Sequence, residues 1–428
     1  MYILGVLVLI CGIVISVGIH EVGHLYPAKR FGVKVSRYFI GFGPTLFSRT
    51  INGTEYGIKA ILLGGYVSIA GMLPPAKPGT RIYTHKGQLT LAEEARQASA
   101  EEIGPGEEDQ AFWRLPARKK LVVMFGGPLT NAVIALVLLT IVMSTMGMST
   151  LTTTIGSIQP CVHGSECSAH DPHNPATPAA LSQLQVGDTI QAWGGVPVEN
   201  WDELSAAIAA GGMQELPVSI IRDGKPMTVQ ITPIDRALLG TDSASQSDDS
   251  ATQHRPYVGI SPTVERQRVS LTRVPAQAAD MTLATAGILV KLPVNLWNTS
   301  VALFSDQERD PNSAIGIVGV ADLAGNITAS GNAQYSGMDR LADLLMLLAS
   351  LNISLFLFNL IPLLPLDGGH ILGAVIEGSR RHIARWRGRP DPGAFDTARL
   401  TSLSNIVFIL LIGMTILLVA ADIFKPAF

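Results

Sequence analysis

Four stretches of the chain are mostly apolar and almost free of charge over about 20 positions, the length that crosses a bilayer core. They run from Tyr2 to about Gly18, from about Leu121 to Met148, from Leu344 to about Ile361, and from about Leu403 to Phe424. This pattern predicts a polytopic α-helical membrane protein with four transmembrane helices. The first stretch has no basic leading region and no small-residue cleavage site after it. It therefore reads as a retained span rather than a signal peptide.

Basic residues give these spans a direction. Lys29, Arg30, Lys34 and Arg37 follow the first span, and Arg114, Arg118, Lys119 and Lys120 precede the second. Arg380, Arg381, Arg385, Arg387 and Arg389 follow the third. With four spans, all three groups fall on one side, expected to be the cytoplasm. Both termini and the loop between spans two and three then lie outside. A fifth apolar stretch, Met281–Phe304, is interrupted by Lys291 and Pro293. Counting it as a span would put the arginine cluster outside. It is read as an amphipathic segment on the outer membrane surface.

Between the spans the pattern changes. Residues 31–72 combine glycine with β-formers and predict membrane-associated β hairpins. Such backbone at membrane depth must be covered by protein or line a wet cavity. Residues 73–117 are rich in Pro, Ala and Glu and read as a cytoplasmic loop, partly disordered or weakly helical. Residues 151–235 predict an extracytoplasmic α+β module, with strands at Thr152–Ile158, Thr189–Trp193, Leu216–Arg222 and Met227–Ile231 and a helix at Trp201–Ala210. Its segment LQVGDTIQAWGGVP, Leu184–Pro197, resembles the core of a PDZ domain. Cys161–Asn174 looks like an insertion near the expected peptide groove. Residues 236–256 read as a flexible linker, rich in Ser and Asp, and 257–339 as a membrane-surface segment. The remaining units are 1–30 and 118–148 (first and second spans), 340–378 (third span with a broken end), 379–400 (a basic cytoplasmic loop) and 401–428 (fourth span and C-terminus).

Composition sharpens this picture. Charged residues make up 15% of the chain, against about 25% in soluble domains, which argues against an ordinary cytosolic enzyme. The net charge of −3 offers nothing to nucleic acid. Three cysteines build no disulfide scaffold. Cys161 and Cys167 fall in the outer loop, where oxidation favours a disulfide between them. Cys11 lies in the first span and is expected to be a packed apolar residue.

The candidate chemistry lies at span ends. Ile19–His24 reads IHEVGH and contains HExxH. On a helix, His20 and His24 share a face and can both ligate one zinc ion. Glu21 then sits beside the metal and can take a proton from the activated water. Ionisable groups at the end of an apolar helix are costly to place there and usually functional. Zinc needs a third ligand and an open position. Asn359–His370 reads NLIPLLPLDGGH, where Pro362 and Pro365 break the helix and offer Asp367. His370 competes for the same role. His85, His163 and His170 lie in predicted loops away from this depth. Gly126–Asn131, GGPLTN, opens the second span at a similar depth. Asn131 could bind substrate or simply pack, and Asn359 could steady an oxyanion or serve a structural hydrogen bond.

Together these motifs resemble the site-2 protease family of intramembrane zinc metalloproteases. The matching residues are His20-Glu21-x-x-His24, Gly127-Pro128-x-x-Asn131 and Asn359-x-x-Pro362-x-x-Pro365-x-Asp367-Gly368, with Gly64-Gly65-Tyr66-Val67 in the β region. The PDZ-like module points to the bacterial sigma-E regulator branch. A single such module, rather than a tandem pair, is closer to actinobacterial members. The resemblance implies zinc on His20, His24 and Asp367, with Glu21 as the catalytic base. It implies a multi-pass protein of the bacterial plasma membrane, with its active site near the cytoplasmic side and its lipid bilayer as immediate partner. It also implies single-span substrates such as anti-sigma factors, trimmed beforehand by a site-1 protease. Two other classes fit the sequence less well: a transporter using the same residues as an ion site, and a non-enzymatic scaffold. Neither inverted repeats nor a second acidic site supports the first, and the intact HExxH argues against the second.

Overall fold

The structure is a computed structural model. It describes residues 1–162, 167, 175–235, 256–305, 307, 309–310, 313–329 and 336–426. His163, His170 and nearly all of the 236–256 linker lie outside the described residues.

In chain order the elements are α1 (Tyr2–Arg30), β1 (Val35–Ile51), β2 (Thr54–Ile69), α2 (Leu91–Glu101), α3 (Ala117–Ile141), β3 (Met148–Ile158) and α4 (Pro178–Leu181). Next come β4 (Thr189–Trp193), β5 (Val196–Pro197), α5 (Trp201–Ala210), β6 (Leu216–Arg222), β7 (Lys225–Ile231), β8 (Ile234–Asp235), β9 (Pro256–Tyr257) and β10 (Ile260–Gln267). The chain ends with α6 (Val274–Val290), α7 (Leu292–Leu303), α8 (Ile317–Ala329), α9 (Gly337–Asn359), α10 (Asp367–Trp386) and α11 (Thr401–Phe424). Contacts divide it into two compact units. One joins Met1–Met146 with Ser270–Phe428, and the other is Gly147–Val269.

In the first unit, α1, α3, α9 and α11 belong to the four helices among the described residues that are long and apolar enough to cross a membrane. Their exposed large side chains are apolar, as lipid contact requires: Ile3, Leu7 and Ile15 on α1, Phe408 and Ile412 on α11. Cys11 is exposed on α1. It faces outward with these neighbours instead of packing inside. Lys29 and Arg30 occupy the last turn of α1, where the helix dipole favours cations. A capping box between Ser336 and Asp339 starts α9.

The β region is one long antiparallel hairpin, not several short ones. Asn52 and Gly53, both at positive φ, supply the tight turn. Both strands bend, so Tyr38 has Val67 opposite it on one edge and Tyr56 on the other. Gly64 has φ +99°, and a Cβ there would lie 2.8 Å from the Phe42 ring. Only glycine fits that bend. Phe112, Leu115, Val123 and Met124 pack with Leu25, Val33, Val35 and Ile69. This core fastens the hairpin and α3 onto the end of α1.

The 73–117 segment is more ordered than its composition suggests. Thr90 caps α2, and the buried Arg96 reaches Asp396 at 2.8 Å and Glu93 at 3.0 Å. That pairing spans 300 residues, so no local pattern announces it. The fifth apolar stretch divides at Lys291 into α6 and α7. Leu283, Ile288, Val294 and Trp297 are all exposed there. The two helices are apolar around much of their surface and do not form a single two-faced segment.

The second unit contains a sheet ordered β10-β3-β4-β6-β7, with β5 beside β4. Trp193, Leu204, Val218, Ile190 and Ile220 form its buried centre. The unit is wider than the 151–235 span expected from sequence. Strand β10, within the segment read as membrane-surface, pairs with β3 from Ile260↔Ile158 to Gln267↔Met148. Pairing across about a hundred residues leaves no mark on local periodicity. Asp188 is buried and accepts from Arg222 at 2.7 Å and from the Gln185 N–H at 2.8 Å. Cys161 and Cys167 are joined by a disulfide.

Candidate metal centre

The two histidines of HExxH sit one turn apart on α1, and their Nε2 atoms are 3.3 Å from each other. The chain leaves α9 at Asn359, passes through Pro362 and Pro365, and re-enters a helix at Asp367. Gly368 and Gly369 permit this tight re-entry. A Cβ at Gly368 would lie 2.1 Å from the Ile361 carbonyl oxygen. The result brings Asp367 Oδ2 to 3.3 Å from His20 Nε2 and 3.3 Å from His24 Nε2.

These three atoms form a nearly equilateral triangle. A tetrahedral ion with ligands at about 2.0–2.1 Å separates them by roughly 3.3 Å along each edge. The geometry therefore fits zinc with one position left open. Asp367 Oδ2 is buried yet accepts no hydrogen bond, an arrangement that costs free energy unless a cation completes it. Among the described residues, His20, His24 and Asp367 are the group able to hold a metal. His370 is not in it. It lines a separate small cavity with Lys120 and Glu377.

Partners outside the triangle orient the rings. His24 Nδ1 lies 2.8 Å from the Val123 carbonyl, so Nδ1 carries the proton and Nε2 keeps its lone pair for the metal. Close helix packing makes that bond reachable. A Cβ at Gly23 would lie 2.4 Å from the Gly126 oxygen, and one at Gly127 would lie 2.1 Å from His24 Nε2. The Asn131 amide lies 3.1 Å from His20 Nδ1. Lys120 of α3 and Glu377 of α10 form a buried pair at 2.7 Å, which holds the helix of Asn131 against the helix of Asp367.

Glu21 is outside the ligand triangle but borders the same cavity, of about 250 Å³, together with Gly64, Gly65, Asn359 and Pro365. A Cβ at Gly65 would approach Glu21 Cγ to 3.3 Å, so β2 runs close beside the base. Tyr38 donates to the Gly18 carbonyl at 2.9 Å and pins β1 to α1. Sequence reasoning missed Val123, Tyr38 and the Lys120–Glu377 pair. A backbone carbonyl carries no sequence signal, and Lys120 looked like one of many interface cations.

A model of peptidase family M50 matches residues 8–389. Zinc metalloprotease Rip1 of Mycobacterium tuberculosis is 30% identical over 434 residues, covering 100% of this chain and 98% of the relative. Rip1 of Mycolicibacterium smegmatis is 31% identical over 449 residues, with coverage of 100% and 98%. The regulator of sigma-W protease RasP of Bacillus subtilis is 22% identical over 412 residues, with coverage of 84% and 87%.

Proposed function

The chain belongs to peptidase family M50, the site-2 proteases, and is a zinc metalloendopeptidase; from that premise we propose that it cleaves peptide bonds within transmembrane segments of other membrane proteins. The observation that carries this reading is the triangle of His20, His24 and Asp367 beside Glu21, on elements joined to membrane-length helices. Zinc, when bound, supplies Lewis-acid polarisation of the scissile carbonyl and of the attacking water. His20, His24 and Asp367 hold it. Glu21 accepts the water's proton and returns it to the leaving amine. Asn359, on the cavity wall, donates to the developing oxyanion or to unwound substrate backbone. Asn131 acts through His20. A helical substrate must unwind before its carbonyls are accessible, and the β1–β2 hairpin beside Glu21 offers backbone for it to pair with.

The orientation of the basic groups supports a plasma-membrane protein with the metal centre near the cytoplasmic side and the 147–269 unit outside. That unit carries the PDZ-like sequence, and its proposed role is peptide binding or steric selection of substrates. The proposed substrates are single-span proteins already shortened outside by another protease. Anti-sigma factors are the favoured class, since one relative is named a regulator of sigma-W protease. The test is reconstitution with a truncated single-span anti-sigma factor. Wild type cleaves it, and Glu21→Gln retains zinc and substrate but loses at least about a hundredfold in rate. Equal cleavage by the mutant would overturn the assignment.

A further inference from the structure

Helix α10 extends 20 residues from Asp367 to Trp386, about 30 Å along its axis. One end holds a vertex of the metal triangle. The other end is built differently. Leu372, Val375, Ile383 and Trp386 are exposed, Trp386 by 81%. At 100° per residue, these four fall within a sector of about 80° whose one polar member is Ser379, and Arg380 and Arg387 border it on one side. An apolar stripe ending in tryptophan and edged by arginines is the pattern of a helix lying at a lipid–water boundary.

The helix end then closes a recess around those arginines. Gly388, at φ +62°, reverses the chain, and the Arg389 N–H returns to the Ala384 carbonyl at 2.8 Å. That cap satisfies the last turn and places Arg389, Pro390 and Pro392 opposite Arg380 and Arg387 around a cavity of about 320 Å³. Among the described residues no carboxylate lines it. The neighbouring acids have partners: Asp391 pairs with Arg381, and Asp396 pairs with Arg96 and Arg399. Among the described residues, Arg380, Arg387 and Arg389 have no ion-pair partner. The partial negative charge at the helix C-terminus favours cations there, but three guanidiniums outweigh it for an approaching anion.

We propose that this recess binds the headgroup phosphate of an anionic phospholipid, with the Ile383–Trp386 stripe against its acyl chains. Guanidinium forks match phosphate oxygens, and the adjoining apolar stripe selects a lipid over a free anion. The bound lipid fixes the depth of α10, and through it the depth of Asp367.

The test uses the full-length protein in detergent, with phosphatidylglycerol and phosphatidylcholine as probes in native mass spectrometry. Wild type is expected to hold phosphatidylglycerol roughly tenfold or more in preference to phosphatidylcholine. Combined Arg380→Gln, Arg387→Gln and Arg389→Gln should bring the ratio close to one. Removing three other basic residues, by Arg30→Gln, Arg37→Gln and Arg118→Gln, should leave it unchanged. Zinc content checks that each variant folds, and Arg387→Gln alone gives an intermediate ratio if the triple variant does not. Equal retention of both lipids by wild type, or an unchanged preference in the triple variant, overturns the proposal. Release of phosphatidylglycerol by millimolar inorganic phosphate would assign the recess to free anions and overturn the lipid assignment.

Discussion

The side-chain amide of Asn131 stands 3.1 Å from His20 Nδ1. The amide is fully buried, and its Oδ1 has no hydrogen-bond partner. An amide's oxygen and nitrogen are assigned from the network around them. Placing Oδ1 against His20 sets the tautomer of the ring. Oδ1 then accepts from Nδ1–H, and the Nε2 lone pair is left for a metal shared with His24 and Asp367. Asn131 thus does for His20 what the Val123 carbonyl does for His24.

This assignment predicts a metal phenotype for Asn131. Asn131→Ala should weaken zinc binding by roughly 10–100-fold, measured by competition with a chromophoric chelator. Asn131→Asp, which still accepts from Nδ1–H, should recover much of it. Unchanged zinc affinity with a raised KM would instead make Asn131 a substrate ligand.

The third ligand can be tested without a substrate. Asp367→Ala and His24→Ala should each lose the bound zinc, whereas His370→Ala should retain about one zinc per chain. Metal analysis of the purified proteins decides it. Zinc lost in His370→Ala and kept in Asp367→Ala would relocate the site.

The α1–α3 crossing should tolerate no added methyl. Gly127→Ala puts a carbon where His24 Nε2 now lies, at 2.1 Å, and the ring is held by Val123. Loss of zinc and a destabilisation of about 1–3 kcal/mol are expected. Gly287→Ala in α6, where a Cβ meets nothing within 4 Å, should be neutral or stabilising by about 0.5–1 kcal/mol. Thermal unfolding of both variants in one detergent gives the comparison.

A pH dependence follows from Asp188. Burial pushes its carboxyl pKa up, but Arg222 and the Gln185 N–H more than offset this and hold it below the ordinary 3.8. A lowered folded pKa contributes stability above the unfolded value and loses it as pH falls through the folded one. The pair should therefore stabilise the 147–269 unit at neutral pH and fade below about pH 4. Arg222→Gln should cost about 1–3 kcal/mol near pH 7, with a shrinking difference toward pH 3. Hydrogen exchange at Ile190 and Ile220 in the full-length protein reads this directly, and a pH-independent difference would contradict it.

The sequence alone determined the membrane helices and the identity of the candidate ligands. A bilayer imposes a length and a polarity on any span, so α1, α3, α9 and α11 are visible as apolar runs. A helix imposes a spacing on two ligands from one face, so His20 and His24 are visible as HExxH. Asp367 could be nominated because two prolines must break a helix, but His370 competed with it. Tertiary structure brings Asp367 Oδ2 to 3.3 Å from both histidines and puts His370 on a separate cavity. It also decided what long-range pairing decides everywhere. Strand β10 joined the sheet of the 147–269 unit, Arg96 reached Asp396, and Val123 and Asn131 stand against the two rings. Each of these contacts joins positions about a hundred or more residues apart, or uses a backbone carbonyl common to every residue. Local pattern records which faces must be buried, and only the folded chain records what they are buried against.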